Sequence, residues 1–452
     1  MKKTLIPILL LSLAAYPSLS QQWQELIDPK LEGWKKIGGE AVYRYENGTI
    51  IGTTQENTPN TFLTSQKYYD DFILEYEVWV DPDINSGVQI RSNSIESYMN
   101  GRVHGYQVEL DPSSRSYSGG IYDEARRKWL YPLSRNEMGR NAFRNGQWNK
   151  FRVEAIGNRI QTWINGVQCA NLTDDLTSKG FIGLQVHSVR KGMANKEVKW
   201  RNIRILTENI EKYKTPSNPN VPEHSYLVNE LSEQEKRKGW RLLWDGKTST
   251  GWKSAYNEEF PSSGWEITDG VLTINAAEDG SYYSVGDIIT RERFSDFELE
   301  LEFKLTEGAN SGLKYYAMKD PKSGFFIGSE FQILDDKNHP DAKNGVAGNR
   351  TLGSLYDLIA AENLSRKGAN KDFKGIGDWN KLRIVSKNGK VEHWLNHLKV
   401  VEYDRSSQIF KALVSYSKYA DYENFGQWPE GHILLQDHGN TVHFRSIKIR
   451  EF

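Results

Sequence analysis

Apolar and polar residues alternate along most of this chain with a period of two. In Phe297-Glu-Leu-Glu-Leu-Glu-Phe303, Phe297, Leu299, Leu301 and Phe303 fall on one side and Glu298, Glu300 and Glu302 on the other, as in a strand with one buried face. Runs of this kind are short and end in Gly, Asn or Asp turns, and helical spacing of any length is absent. The pattern predicts an all-β chain with roughly a dozen strands per half, closed as a two-sheet sandwich of jelly-roll type whose curved sheet leaves an outer, concave face free. One short helix is predicted within Leu231-Ser-Glu-Gln-Glu-Lys-Arg-Lys238, where Ser232 and Glu235 have the spacing of a capping box.

The strand words occur twice in the same order. Gly33-Trp34 returns as Gly251-Trp252, and Phe72-Ile-Leu-Glu-Tyr-Glu-Val78 as Phe297–Phe303, each followed by Asn-Ser-Gly at 85–87 and 310–312. Trp148-Asn149 returns as Trp379-Asn380, Trp163-Ile-Asn165 as Trp394-Leu-Asn396, and Gln185-Val-His187 as Gln436-Asp-His438. The offset drifts while the order holds, which implies one domain duplicated with insertions in its loops. The expected organisation is residues 22–207 and 231–452 as two sandwiches, with 208–230 as a linker. Its Pro-rich part, Thr215–Pro222, is predicted to be semi-extended and unpacked.

Lys2 and Lys3 precede an apolar run from Leu5 to Ala15, and Ser18-Leu-Ser20 supplies small residues, so residues 1–20 read as a signal peptide and the protein as periplasmic or secreted. The run is too short for a membrane span, so no integral membrane segment is expected. Lys plus Arg number 58 against 59 Asp plus Glu, without a basic block, which argues against a nucleic-acid partner. The lone cysteine, Cys169, excludes a disulfide framework and a thiolate zinc site, and reads as a buried, inert thiol. Aromatic residues make up 12% of a chain of mean hydropathy −0.66, a balance that suits a carbohydrate partner: sugar C–H faces pack on rings and hydroxyls need polar groups.

Candidate chemistry lies where one strand face carries more than solvating charge. In Glu330-Phe-Gln-Ile-Leu-Asp335, Glu330 and Gln332 share a face; in Leu434-Leu-Gln-Asp-His438, Gln436 and His438 do; Trp394 shares one with Asn396, and Lys314 has the parity of Asn310. A carboxylate, an imidazole, amides and an indole at matching parity fit a sugar site with one or two acid/base groups. The plainer reading makes Asn-Ser-Gly a turn, Trp394 core and Gln436 a backbone partner. Asp335 ends its strand; Arg350 and Tyr356 follow as substrate contacts. His339-Pro-Asp341 and Asp335-Asp336 hint at a divalent cation, although an acidic turn is the commoner explanation, and no organic cofactor is expected, since no dinucleotide-binding glycine motif occurs.

Taken together, Gly239-Trp-Arg-Leu-Leu-Trp-Asp-Gly-Lys247, Asn310-Ser-Gly312, Glu330–Asp335, Gly377-Asp-Trp-Asn380, Leu435-Gln-Asp-His-Gly439 and Val442-His-Phe-Arg-Ser-Ile-Lys-Ile449 resemble the 3-keto-disaccharide hydrolase family. The first half resembles it more loosely, with Gln107 where the second has Glu330, Glu109 where it has Gln332, and Arg91 where it has Tyr316. The resemblance implies two tandem concanavalin-like jelly rolls and cleavage of 3-keto glycosides. A C3 ketone acidifies the C2 proton, so a base removes it and the aglycone leaves from C1, with or without rehydration. On this reading Glu330 is the base, His438 the acid or second base, and Lys314, Asn310 or Gln332 steady the enolate, while Asp335 orients His438 or holds a metal ion. The first half is then an accessory copy, keeping Glu109 and His187, and the keto substrate comes from a separate sugar 3-oxidoreductase. Two alternatives stay open: a lectin-like binding protein, and a glycosidase for unoxidised sugars with Asp335 or Asp437 as its second carboxylate.

Overall fold

The computed structural model describes residues 23–276 and 285–452. The expected signal peptide, residues 1–20, lies outside them. Among the described residues the chain forms two β-sandwiches. The first faces a nine-stranded sheet against a seven-stranded one; the second faces an eight-stranded sheet against a five-stranded one, in the order Trp252–Ser254, Ile288–Thr290, His432–Leu435, Asn310–Lys319, Phe326–Leu334.

Period-two alternation builds the second sandwich as read. Phe297, Leu299, Leu301 and Phe303 point inward and meet Leu313, Tyr315, Phe331 and Ile333 of the smaller sheet in one buried core. Each such side chain contributes about 1.5–3 kcal/mol through burial. The alternate face of the strand is a charged ladder: Glu298 takes Arg383 at 2.5 Å and Arg450, and Glu302 takes Arg445 at 2.7 Å.

The repeated words prove to be fastenings. Asn396 accepts from the Lys381 N–H at 2.8 Å and donates to Asn380 Oδ1 at 2.7 Å and to the Asp372 carbonyl at 2.9 Å. Asn165 accepts from the Lys150 N–H at 3.0 Å and donates to Asn149 Oδ1 at 2.9 Å. Both asparagines sit at positive φ, a conformation their short amide tolerates in a hairpin turn. In the small sheets, Arg91 and Tyr316 occupy matching bulges at φ 46° and 51°. Arg91 is held by the Asp70 and Gly157 carbonyls and by Asp71, and Tyr316 by the Ser295 carbonyl and Ser386. Both are buried anchors of the bulge, so the exchange of one for the other changes the scaffold and not a substrate contact.

Two expectations are corrected. The linker is packed: Val221 is fully buried, Asn218 N–H donates to Gln168 at 2.7 Å, and His224–Ser225 adds a short parallel strand beside Leu172 and Thr173. The apolar Val221 and the buried His224 supply the contact that a Pro-rich composition hides. Helices are also not confined to the capped turn Glu233–Arg237, whose Ser232–Glu235 box is present. An eight-residue helix, Gln408–Ser415, capped by Ser407, lies in the connection that leads to His432–Leu435.

Replacing Asn396 by Ala is expected to lower the unfolding free energy by about 2 kcal/mol, because it leaves buried backbone groups unpaired. Urea denaturation reads this directly; a change below about 0.5 kcal/mol would place the fastening elsewhere.

Candidate functional site

The register of two strands sets the site. Lys314 lies directly opposite Glu330, and Gly312 opposite Gln332, so all four face away from the core on the small sheet. Gly312 leaves the room that the carboxylate fills: a methyl group there would come within 2.1 Å of Glu330 Oε1 and push it aside. The carboxylate therefore rests on bare backbone, and Glu330 is only 4% exposed. On the other side of Asn310–Lys319 comes His432–Leu435, whose continuation brings in Gln436, with its N–H donating to the Gly312 carbonyl at 3.0 Å. Next to it stands Asp287, whose Oδ1 accepts from the Asp437 N–H at 2.9 Å and whose Oδ2 is 3.9 Å from Lys314 Nζ.

These groups floor a cleft of about 740 Å³. Tyr256 and Phe326 line it as well, and Lys418, Tyr419 and Tyr422 reach it from the segment that follows the helix Gln408–Ser415. Burial pushes the Glu330 carboxyl above its ordinary value; Lys314 and Lys418 offset part of that, and Asp287 and Asp341 add to it. Asp287 is raised for the same reason, with Lys314 opposing. Lys418 is lowered by its own burial, against the pull of Glu330. The cleft thus joins two carboxyls of raised proton affinity to two lysine side chains, a grouping suited to proton transfer.

Beside the cleft is a second polar group. Asp341 accepts from Tyr356 OH at 2.7 Å and Arg350 Nη1 at 3.1 Å; although burial raises its carboxyl, these bonds outweigh that and hold it low. Arg350 is also bonded to Asp357 at 2.7 Å, and the Lys418 ammonium lies 4.1 Å over the Tyr356 ring, which joins this group to the cleft. His438 stands edge-on to His339 with ring centroids 5.8 Å apart, lowered by burial and by that second imidazole. Among the described residues no set of three or more His, Cys, Asp or Glu side chains is arranged to hold a metal ion.

Of the residues singled out in the sequence, Glu330, Lys314 and Gln436 line the cleft. Asn310 and Gln332 are buried beside them, with the Gln332 amide donating to Asn310 at 3.3 Å. Asp335 closes a turn, accepting from the N–H groups of Gly308 (2.8 Å), Lys337 (3.1 Å) and Asn338 (3.3 Å) and from the Asn338 amide (2.8 Å), so its carboxylate orients loop backbone. Trp394 and Asn396 need correction. Both come from the hairpin in the eight-stranded sheet, where the Trp394 indole donates to Glu392 at 2.8 Å under the guanidinium of Arg383, and Asn396 is the fastening described above. Asp437 accepts from the Val285 and Gly286 N–H groups at 3.0 and 2.9 Å, a structural use.

A family model for the 3-keto-alpha-glucoside-1,2-lyase-like domain matches residues 22–206 and 239–450. The chain belongs to this family. A relative from Bacteroides thetaiotaomicron, named 3-keto-disaccharide hydrolase, is 34% identical over 241 residues, which cover 47% of this chain and 78% of that protein. A crystal structure from Parabacteroides distasonis, provisionally described as a glycosyl hydrolase, is 30% identical, with a TM-score of 0.43 over 50% of this chain and 99% of that one. The carbohydrate-binding module CBM66 of Bacillus subtilis aligns at 17% identity and a TM-score of 0.26, over 38% and 95%. Family membership makes this a carbohydrate-active chain.

Asp287, Lys418 and Tyr419 are the residues sequence reading missed. Asp287 precedes a strand of three residues, too short to show alternation. Lys418 and Tyr419 lie in a connection longer than its counterpart in the first half, and the jump in offset between Trp-x-Asn and Gln-x-His was the available signal. Gly312→Ala is expected to displace the Glu330 carboxylate and to cut glycoside cleavage by roughly 10²-fold while the far-UV dichroism is kept. Full activity in that variant would show that the close approach is dispensable.

Proposed function

We propose that the C-terminal cleft cleaves 3-keto glycosides, 3-keto disaccharides among them, by elimination. The observation that carries this reading is the buried Glu330 carboxylate, set opposite Lys314 and sharing with the half-buried carboxyl of Asp287 a cleft of sugar-accommodating size. Glu330 takes the C2 proton, and the bonding pair moves onto the C3 oxygen as an enolate beside the Lys314 ammonium. The enolate then re-forms the C3 ketone as C1=C2 forms and the C1–O bond to the aglycone breaks. Asp287, whose burial raises its proton affinity, donates a proton to the departing oxygen. The products are the free aglycone and an unsaturated keto sugar; water adding across C1=C2 gives net hydrolysis and returns the protons.

Asp287 is a better-placed donor than His438, because it lines the cleft with Glu330 whereas His438 packs on His339. An oxocarbenium glycosidase would also draw on Glu330 and Asp287, the carboxyls that line the cleft, since Asp335 and Asp437 are both taken up by backbone N–H groups. The reading extends to an exported enzyme, on the strength of residues 1–20, fed by a separate sugar 3-oxidoreductase.

The test offers purified protein a nitrophenyl glucoside and its 3-keto counterpart. Release from the keto substrate alone, slowed by deuterium at C2, is the expected result; release from the unoxidised sugar would establish the glycosidase, and release from neither would refute catalysis. Glu330→Gln is expected to lower release by about 10²–10⁴-fold. Because the folded pKa of Glu330 lies above its unfolded value, the stability it contributes is present at acid pH and is lost as pH rises through the folded pKa. The variant should therefore melt higher than the parent at pH 7.5, with the difference shrinking toward pH 4.

A further inference from the structure

The seven-stranded sheet of the first sandwich carries a larger cleft, about 1140 Å³, on the corresponding face. Strand register gives the correspondence position by position. Gln107 and Gln89 face each other as Glu330 and Lys314 do, and Gly87 lies opposite Glu109 as Gly312 lies opposite Gln332. Gln185 lies opposite Gly87 on one side and Phe62 on the other, which puts Phe62 where the second sandwich has Asp287. The close approach is kept, since a methyl group at Gly87 would come within 2.4 Å of the Gln107 side chain. What changes is the chemistry of the floor: base, ammonium and acid become an amide, an amide and a phenyl ring.

The amides are tied together. Gln89 donates to Gln107 at 2.7 Å, and Gln107 and Asn85 donate to the two oxygens of Glu109 at 2.9 and 2.5 Å. Glu109 is thus clamped two residues along the strand from the position of Glu330. Gln185, fully buried on the same face, has no partner for either amide atom among the described residues. Two charge pairs flank the cleft, Arg102 with Glu124 at 3.1 Å and Arg115 with Asp111 at 2.7 Å, and burial pushes the Glu109 carboxyl up to about 7. Half-buried Tyr122 and Trp129, edge to face at 5.3 Å, give it an apolar wall. The cleft is also open where its counterpart is walled, because the turn 174–180 takes the place of the segment 405–431 that carries Lys418, Tyr419 and Tyr422.

We propose that the N-terminal cleft is a second carbohydrate site, one that holds a neutral oligosaccharide without cleaving it. Amides and rings supply hydrogen bonds and apolar contact for hydroxyls and C–H faces, both arginines of the cleft are already paired with carboxylates, and the open end admits a chain longer than a disaccharide. The assignment stands apart from the elimination chemistry of the C-terminal cleft, since it concerns binding elsewhere.

The test titrates the full chain carrying Glu330→Gln with neutral α- and β-linked gluco-, galacto- and manno-oligosaccharides of two to six units, by calorimetry. Binding that strengthens with length, weakens at least tenfold in Tyr122→Ala or Trp129→Ala, and leaves turnover of a nitrophenyl 3-keto glucoside unchanged in the Tyr122→Ala protein is expected. No binding across the panel, or binding that both wall variants leave intact, would overturn the proposal. So would aglycone release that survives Glu330→Gln and is lost on adding Glu109→Gln, since the N-terminal cleft would then be catalytic. If the parent protein releases nothing from the keto glucoside, the elimination reading fails while the binding result still decides this one.

Discussion

A carboxylate laid on a glycine is the constraint on which the C-terminal cleft depends. Glu330 can be buried above the sheet only because Gly312 has no side chain, and it faces Lys314 only because the strands Asn310–Lys319 and Phe326–Leu334 keep one register. That register is locked at the bulge. Tyr316, at positive φ, turns inward to bond Ser295 and Ser386, and Gly431 packs so closely that a methyl group would lie 2.3 Å from the Tyr316 backbone. A slip of one residue would send Lys314 into the core and Leu313 into the cleft. Scaffold and site are therefore specified by the same few contacts.

Burial gives the site its chemistry and sets its limit. An isolated carboxylate in such a place would stay protonated, because removing an ion from water costs several kcal/mol. Two unit charges about 4 Å apart at an effective dielectric near 20 recover about 4 kcal/mol, an energy of the same order. The 3.9 Å separation of Lys314 and Asp287 falls in that range, and Glu330 draws on both Lys314 and Lys418. Burial and the nearby lysines oppose each other, and burial prevails, leaving the proton affinities of Glu330 and Asp287 raised.

The fold was legible because period two survives in every long strand, and the duplicated words showed where each strand recurs. Parity also identified the faces of Glu330, Gln332, Lys314 and Asn310, which the structure brings together. It failed for Trp394 and Asn396 for a definite reason: alternation says which side of a strand a residue occupies, not which of two sheets the strand joins. His438 lies past the end of His432–Leu435, where alternation no longer dictates direction. Lys418 and Tyr419 reach the cleft from a non-strand connection, which no strand pattern can locate.

The two sandwiches separate what the shared words encode from what they do not. Asn149 and Asn380, Asn165 and Asn396, Gly87 and Gly312, and Gly180 and Gly431 do the same work in each copy, fastening hairpins or admitting a neighbour to bare backbone. Such positions tolerate little change, because a substitution leaves backbone groups unpaired or forces atoms together. The floor is under a different constraint. Gln107 for Glu330, Gln89 for Lys314 and Phe62 for Asp287 replace charge with neutral groups of comparable reach, and both floors keep the strand register around them. Words that are easiest to recognise in the sequence therefore report the scaffold. The charged groups of the C-terminal floor sit at three positions at which the copies differ, and reading function in this architecture means comparing floors across the register.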